Sequence, residues 1–150
     1  MDFHRSTPFD STAIAKLEQD CFSDPWSERS VSDLITTEGS MCFTASDNGE
    51  VIAYVLGRLI PPEGEIYRIA VRQDKRRRGI GYRLLDYAVK TSRGKGLESL
   101  FLEVRARNIA ARKLYLSYGF VEIGKRNGYY KNPDDDAVIM LKGGRDLIDC

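Results

Sequence analysis

The sequence is poor in the residues that staple small folds or bind metals. Its 150 residues include three cysteines, Cys21, Cys42 and Cys150, and one histidine, His4. An odd number of widely spaced cysteines offers neither a disulfide framework nor a metal-ligand spacing. A lone histidine excludes a histidine-rich metal centre. No apolar run approaches the ~18 residues of a membrane span. Met1-Asp-Phe-His-Arg5 lacks the apolar stretch of a secretion signal. Low-complexity segments, linkers and internal repeats are absent too. These absences lead us to expect a cytoplasmic, reducing setting, no metal and no membrane contact.

Net charge is also scarce, at a formal +1, but it is unevenly placed. Arg72, Lys75, Arg76, Arg77 and Arg78 crowd one stretch, and Asp134, Asp135 and Asp136 another. One confined basic patch in a balanced chain fits a small polyanion better than a long one. No aromatics interleave with the basic residues at 72–78, which argues against a nucleic-acid platform. With 42% apolar residues, the length suits one domain over 1–150, with a frayed tail at about 143–150.

Hydrophobic periodicity and turn chemistry then divide the chain. Phe3 to Ser6 reads as a short strand. Asp10 or Ser11 can cap a helix with Ile14, Leu17 and Cys21 on one face. Pro25 breaks it, and Ser27-Glu28 opens a second helix through Leu34 and Ile35. Trp26, in the joint, either packs in the core or walls a groove. Met41–Ser46 and Val51–Ile60 flank Asn48-Gly49, a hairpin turn signal. Pro61-Pro-Glu-Gly64 turns the chain again before a strand at Glu65–Val71. A helix at 82–93 ends on Arg93-Gly-Lys-Gly96, and Leu97–Arg105 is a strand. Asn108 caps a helix closed by Gly119, and Phe120–Tyr130 with Ala137–Leu141 forms a closing hairpin. Strands on both sides of helices, around one strand–helix–strand unit, give a mixed α/β sheet.

Between the strand ending at Val71 and the helix lies Arg76-Arg-Arg-Gly-Ile-Gly81. A helix start carries unpaired N–H groups and a partial positive charge. Glycines let a large anion approach, and arginines add forked donors. The stretch reads as a holder for a pyrophosphate. It lacks the G-x-x-x-x-G-K-[ST] of nucleotide hydrolases, and Leu84 replaces the third glycine of a dinucleotide fingerprint. It matches [RQ]-x-x-G-x-[GA] with Arg76, Gly79 and Gly81, and so resembles the acetyl-coenzyme-A loop of the GNAT family of N-acetyltransferases.

In Leu100-Phe-Leu-Glu-Val-Arg105, alternation puts Phe101, Glu103 and Arg105 on one face. Glu103 is a candidate base, or else a solvated or Arg105-paired carboxylate. Tyr115, on the apolar side of the next helix, is either core or a proton donor to a departing thiolate. Phe101-Leu-Glu-Val-Arg-Ala-Arg-Asn108, Lys113-Leu-Tyr115 and Gly119-Phe120 resemble the core of the bacterial ribosomal-protein alanine N-acetyltransferases (RimI type), a branch of that family. Pro25-Trp-Ser27, Gly128-Tyr-Tyr130 and Asp136-Ala-Val-Ile-Met140 match its outer strings, so the similarity spans about residues 10–141.

That resemblance implies a central, mostly antiparallel sheet with one parallel pair around the cofactor, and flanking helices. It implies an enzyme that moves the acetyl group of acetyl-coenzyme A, without a metal, to a protein N-terminal amine. The acceptor it points to is the N-terminal alanine of a small-subunit ribosomal protein; a small-molecule amine or a lysine side chain is the alternative. Glu103 stands at the general base and Tyr115 at the general acid. Ile69, Ala70 and Val71 would meet the pantetheine arm, and Arg76, Arg77, Arg78, Gly79, Ile80, Gly81, Tyr82 and Asn108 the rest of the cofactor. Trp26, Tyr129 and Tyr130 would face the acceptor. A monomer without direct nucleic-acid contact is favoured. Val31, where an aromatic residue is usual, and Asn127-Gly128 depart from the pattern where the acceptor would bind.

Overall fold

The computed structural model describes residues 1–143, so Cys150 and most of the expected tail lie outside the described residues. The elements in order are β1 (Asp2–Arg5), α1 (Ser11–Cys21), α2 (Glu28–Thr36), β2 (Phe43–Asp47), β3 (Glu50–Ile60), β4 (Glu63–Val71), α3 (Ile80–Arg93), β5 (Ser99–Arg105), α4 (Ile109–Tyr118), β6 (Val121–Tyr130) and β7 (Asp135–Gly143). Local chemistry sets several boundaries. Ser27 Oγ accepts the Ser30 N–H at 3.1 Å to start α2, and Asn108 Oδ1 accepts the Ala111 N–H at 3.2 Å to start α4. Asn48 and Gly49 both take positive φ, 51° and 79°, in the turn between β2 and β3. Several boundaries differ from expectation by a few residues, two of them for a visible reason. β4 begins at Glu63, because Glu63 and Gly64 already pair with Ile60 and Leu59. Gly143 closes β7 opposite Ser99 rather than opening a tail.

Among the described residues the strands form one seven-stranded sheet in the order β1-β2-β3-β4-β5-β7-β6. Every neighbouring pair is antiparallel except β4 with β5, joined by the crossover through α3. A mixed α/β sheet with one parallel pair is thus the observed architecture. No helix among the described residues is long and apolar enough to cross a membrane.

Apolar side chains fill both faces. On one, Leu84, Leu85, Ala88 and Val89 of α3 and Tyr115 and Tyr118 of α4 pack with Phe43, Val55, Ile66, Leu100 and Leu102. On the other, Ile14, Leu17, Val31 and Ile35 of α1 and α2 pack on Tyr54, Leu56 and Ala70. Full burial of one such aliphatic side chain contributes about 1.5–3 kcal/mol. Val31 is fully buried in this second core. It therefore belongs to the packing of α2 and not to an acceptor groove, which corrects the sequence-based expectation.

The parallel pair is short. Glu63–Ile66 of β4 bonds Ser99–Leu102 of β5, and there the pairing stops. Yet β4 continues on β3 to Val71, and β5 continues on β7 to Arg105. The cause is local. Leu56 pairs with Arg68 while Gly57 pairs with Ile66, leaving Tyr67 as an extra residue in a bulge. A bulge bends its strand and sharpens the twist, so β4 turns away from β5 just where their pairing ends.

Candidate active site

The parting of β4 and β5 opens a cavity of about 700 Å³. One wall is the freed edge of β4. Arg72 donates its N–H to Ile52 O at 2.7 Å. Ladder alternation then points the main-chain groups of Ala70 at β3, and those of Ile69 and Val71 at the cavity. Ile69 and Val71 therefore have main-chain groups at the free strand edge; Ala70, grouped with them in the sequence reading, has its own bonded to β3. Val71 O accepts from Arg76 Nε at 2.9 Å. Arg76 thus ties the loop to the end of β4 while lining the cavity.

The second wall is the loop and the start of α3. Arg77 and Gly79 both have positive φ, 65° and 74°, a conformation that turns successive N–H groups to one side and suits anions. Gly79 takes the cap position of α3, and no side chain bonds the helix start there. The first helical N–H groups lack intrahelical partners, and Ile80, Gly81 and Tyr82 line the cavity. A Cβ at Gly81 would lie 3.3 Å from Leu114 Cδ2 and 3.5 Å from Val71 Cγ2, whereas one at Gly79 would meet nothing within 4 Å. Gly81 lets α3 close on α4 and β4, and Gly79 leaves the mouth open. Asn108, at the cap of α4, and Ala111 and Leu114 within it complete the wall. Arg78 is exposed and outside this lining. The donor set, main-chain N–H groups beside Arg77 at a glycine-lined opening, fits a diphosphate. The narrow apolar cleft along β4 fits an acyl-carrying arm.

Across the split, the face bearing Phe101, Glu103 and Arg105 remains partly open, while Leu100, Leu102 and Val104 on its reverse are buried. Glu103 pairs with Arg126 Nε of β6 at 3.3 Å, with its side chain 18% exposed. Its partner is thus Arg126 and not Arg105. Arg105 instead donates to Pro133 O and Lys131 O at 2.8 and 2.9 Å, and lies 4.5 Å over the Tyr130 ring. Burial and the charge of Glu103 push the Tyr130 phenol up to about 12. Tyr115 is buried on the α4 side, edge-on to Phe120. Its phenol is pushed above the ordinary range by burial, with Tyr130 adding to the shift. Tyr130 therefore lies in electrostatic reach of both Glu103 and Tyr115. Trp26 is half-buried against the second core, with its ring 5.7 Å from Tyr67, which is the packing role of the two considered from sequence. Tyr129 is exposed, edge-on to Tyr130 at 5.0 Å.

Sequence reasoning missed the network that holds Trp26 in place. The Glu18 carboxylate of α1 is fully buried. It accepts from the Tyr54 hydroxyl, from Arg68 Nε at 3.2 Å and from the main-chain N–H of Trp26 at 3.0 Å. Arg68 also pairs with Asp24 at 3.1 Å and stacks on Phe22 at 4.0 Å. A Glu in the apolar register of α1 was the available signal.

Residues 11–120 match the sequence pattern of the Acetyltransferase (GNAT) family. The chain belongs to this family. GNAT relatives cover most of its length. It is 35% identical over 133 residues to the [Ribosomal protein bS18]-alanine N-acetyltransferase of Escherichia coli K12, spanning 87% of this chain and 89% of that protein. It is 34% identical over 146 residues to the N-alpha-acetyltransferase RimI of Mycobacterium tuberculosis, spanning 93% and 90%. The crystal structure of the ribosomal-protein-S18-alanine N-acetyltransferase from Escherichia coli superposes with a TM-score of 0.87 at 32% identity, covering 95% of this chain and 92% of that one. The GNAT assignment makes acetyl-coenzyme A the donor, in keeping with the diphosphate-shaped loop.

Proposed function

We propose that this GNAT chain transfers the acetyl group of acetyl-coenzyme A to the N-terminal α-amine of a protein, with the N-terminal alanine of a ribosomal protein of the bS18 kind as acceptor. The observation that carries the reading is the parting of β4 and β5 beyond Ile66 and Leu102. The loop at 76–82 lines the cavity on one side of this parting, and Glu103 is the first residue of β5 beyond the last paired rung, which supports the reading. The names of the two relatives supply the acceptor class.

Acetyl-coenzyme A supplies a thioester whose carbonyl carbon accepts the amine nitrogen. The protein's residues do the rest. Arg77 and the N–H groups at 79–82 hold the diphosphate, and Ile69 and Val71 align the arm along β4. Glu103 takes a proton from the acceptor ammonium, directly or through a water. A chain-terminal amine has a pKa of about 7.7–8.0 against about 10.4 for lysine, so a modest base suffices. Tyr115, kept protonated by burial, donates a proton to the departing thiolate. Holding both reactants in one cleft lowers the entropic part of the barrier.

The test is incubation with acetyl-coenzyme A and short peptides beginning in Ala, with N-terminally blocked lysine peptides as controls, read by intact mass. One added acetyl group on the terminal amine is expected. Transfer only to lysine side chains, or turnover only with small free amines, would overturn the reading.

A further inference from the structure

Two carboxylates stand on the open face at the split, and the mechanism above uses one of them. Glu65 of β4 lies opposite Phe101 in the parallel pair. Glu103 is the next residue of β5 on that face, since side chains two apart in a strand share a side. Glu65 sits one rung before the last of the parallel pair, and Glu103 one residue beyond it. The partly buried Tyr67 feels the charge of Glu65 and Tyr130 that of Glu103, and the Trp26 ring lies 5.7 Å from that of Tyr67. Glu103 has Arg126 beside it. No cation among the described residues lies at ion-pair distance from Glu65, although exposed Arg58 faces it in the ladder with β3. Half-burial and the charge of Glu103 both push the Glu65 carboxyl up. Two like charges in a half-buried site disfavour one another, and a cation arriving between them removes that cost.

We propose that Glu65 is a substrate-binding residue: with Glu103 it seats the acceptor's α-ammonium at the split and selects chains whose N-terminus is free. The assignment rests on the acetyl-transfer reading above. The ammonium carries three N–H donors, enough to bond both carboxylates at once. When Glu103 takes one proton, the neutral amine left behind is still held by Glu65. Acetylation forms the N–C bond and leaves an amide with no charge. The product has then lost what the two carboxylates bind, so the same seat that captures substrate releases product.

Trp26 is the only tryptophan in the chain and borders this face, so its fluorescence reports occupancy. Wild-type protein and the Glu65→Gln and Glu65→Asp variants are titrated with an Ala-initiated peptide, either free or N-acetylated. Wild type should bind the free peptide at least about tenfold more tightly, the scale of a hydrogen bond between charged groups. Glu65→Gln should reduce that preference to under about threefold by weakening only the free peptide, and Glu65→Asp should keep part of it. A Glu65→Gln variant with undiminished preference would overturn the assignment. So would one that binds both peptides equally poorly, as a merely structural role requires. Wild type that prefers the free peptide but transfers no acetyl group would support the seat and overturn the acetyl-transfer reading instead.

Discussion

At the donor mouth of the split, the walls are main chain: the edge groups of Ile69 and Val71, and the N–H groups of a glycine-capped helix start. At the proposed acceptor mouth, the surface is side chains: Glu65, Glu103, Arg105, Trp26 and Tyr130, braced by ion pairs that tie α1, β4 and β5 together. The difference teaches where each kind of specificity is stored. A donor site made of backbone needs only the right torsions and small residues. An acceptor site made of side chains needs a supporting network, and exchange of its members changes which chain is taken.

That contrast can be broken first at the network. Glu18→Gln leaves the inner guanidinium contact of Arg68 without its charge partner, and breaking such a buried pair costs about 3–5 kcal/mol. Urea unfolding should show this loss; a change under about 1 kcal/mol would mean that the acceptor mouth is held by packing alone. Next come the two groups proposed to move protons. Glu103→Gln and Tyr115→Phe should each lower turnover by about 10²-fold or more while acetyl-coenzyme A affinity, measured calorimetrically, persists. Unchanged rates in both would remove them from the mechanism.

At the donor mouth the expected effects are smaller and come from torsion. Gly79→Ala forces an alanine to φ 74°, which costs about 1–2 kcal/mol. It should raise KM for acetyl-coenzyme A several-fold and leave peptide affinity alone. Equal loss for both substrates would merge the two mouths into one unit. The smallest effect concerns alkaline pH. Unfolded phenols ionise near pH ~10, while those of Tyr115 and Tyr130 are raised in the folded chain by burial. Their folded pKa values exceed the unfolded ones, so this contribution is fully present below pH ~10 and is lost as pH rises toward the folded values. Unfolding midpoints should fall in that window. Tyr130→Phe should flatten the slope.

Much of this was legible locally. The Asn48-Gly49 turn, the Ser27 and Asn108 caps and the amphipathic α3 each depend on residues within one turn of one another. Arg76, Gly79 and Gly81 announced the turn into α3 that lines the cavity for the same reason. Glu103's facing followed from alternation alone, but its partner did not. Arg105 is two positions away in sequence and on the same face, yet Arg126 comes from across two strands. The Val31 expectation failed because a position compared by string carries no information on whether its side chain points to a groove or to a core. Glu65 could not be paired with Glu103 before the register of β4 against β5 was known, because the α3 crossover permits several registers.

From sequence alone came the elements, their order, the basic glycine loop before α3 and the family they spell, because periodicity, caps and turn torsions act over a few residues. Only the tertiary structure decided that β4 bends at Tyr67, that the strands part after Ile66 and Leu102, and that two carboxylates face one opening. Those features arise from strand register and from packing on both faces of the sheet, where the competing forces lie between segments distant in the chain.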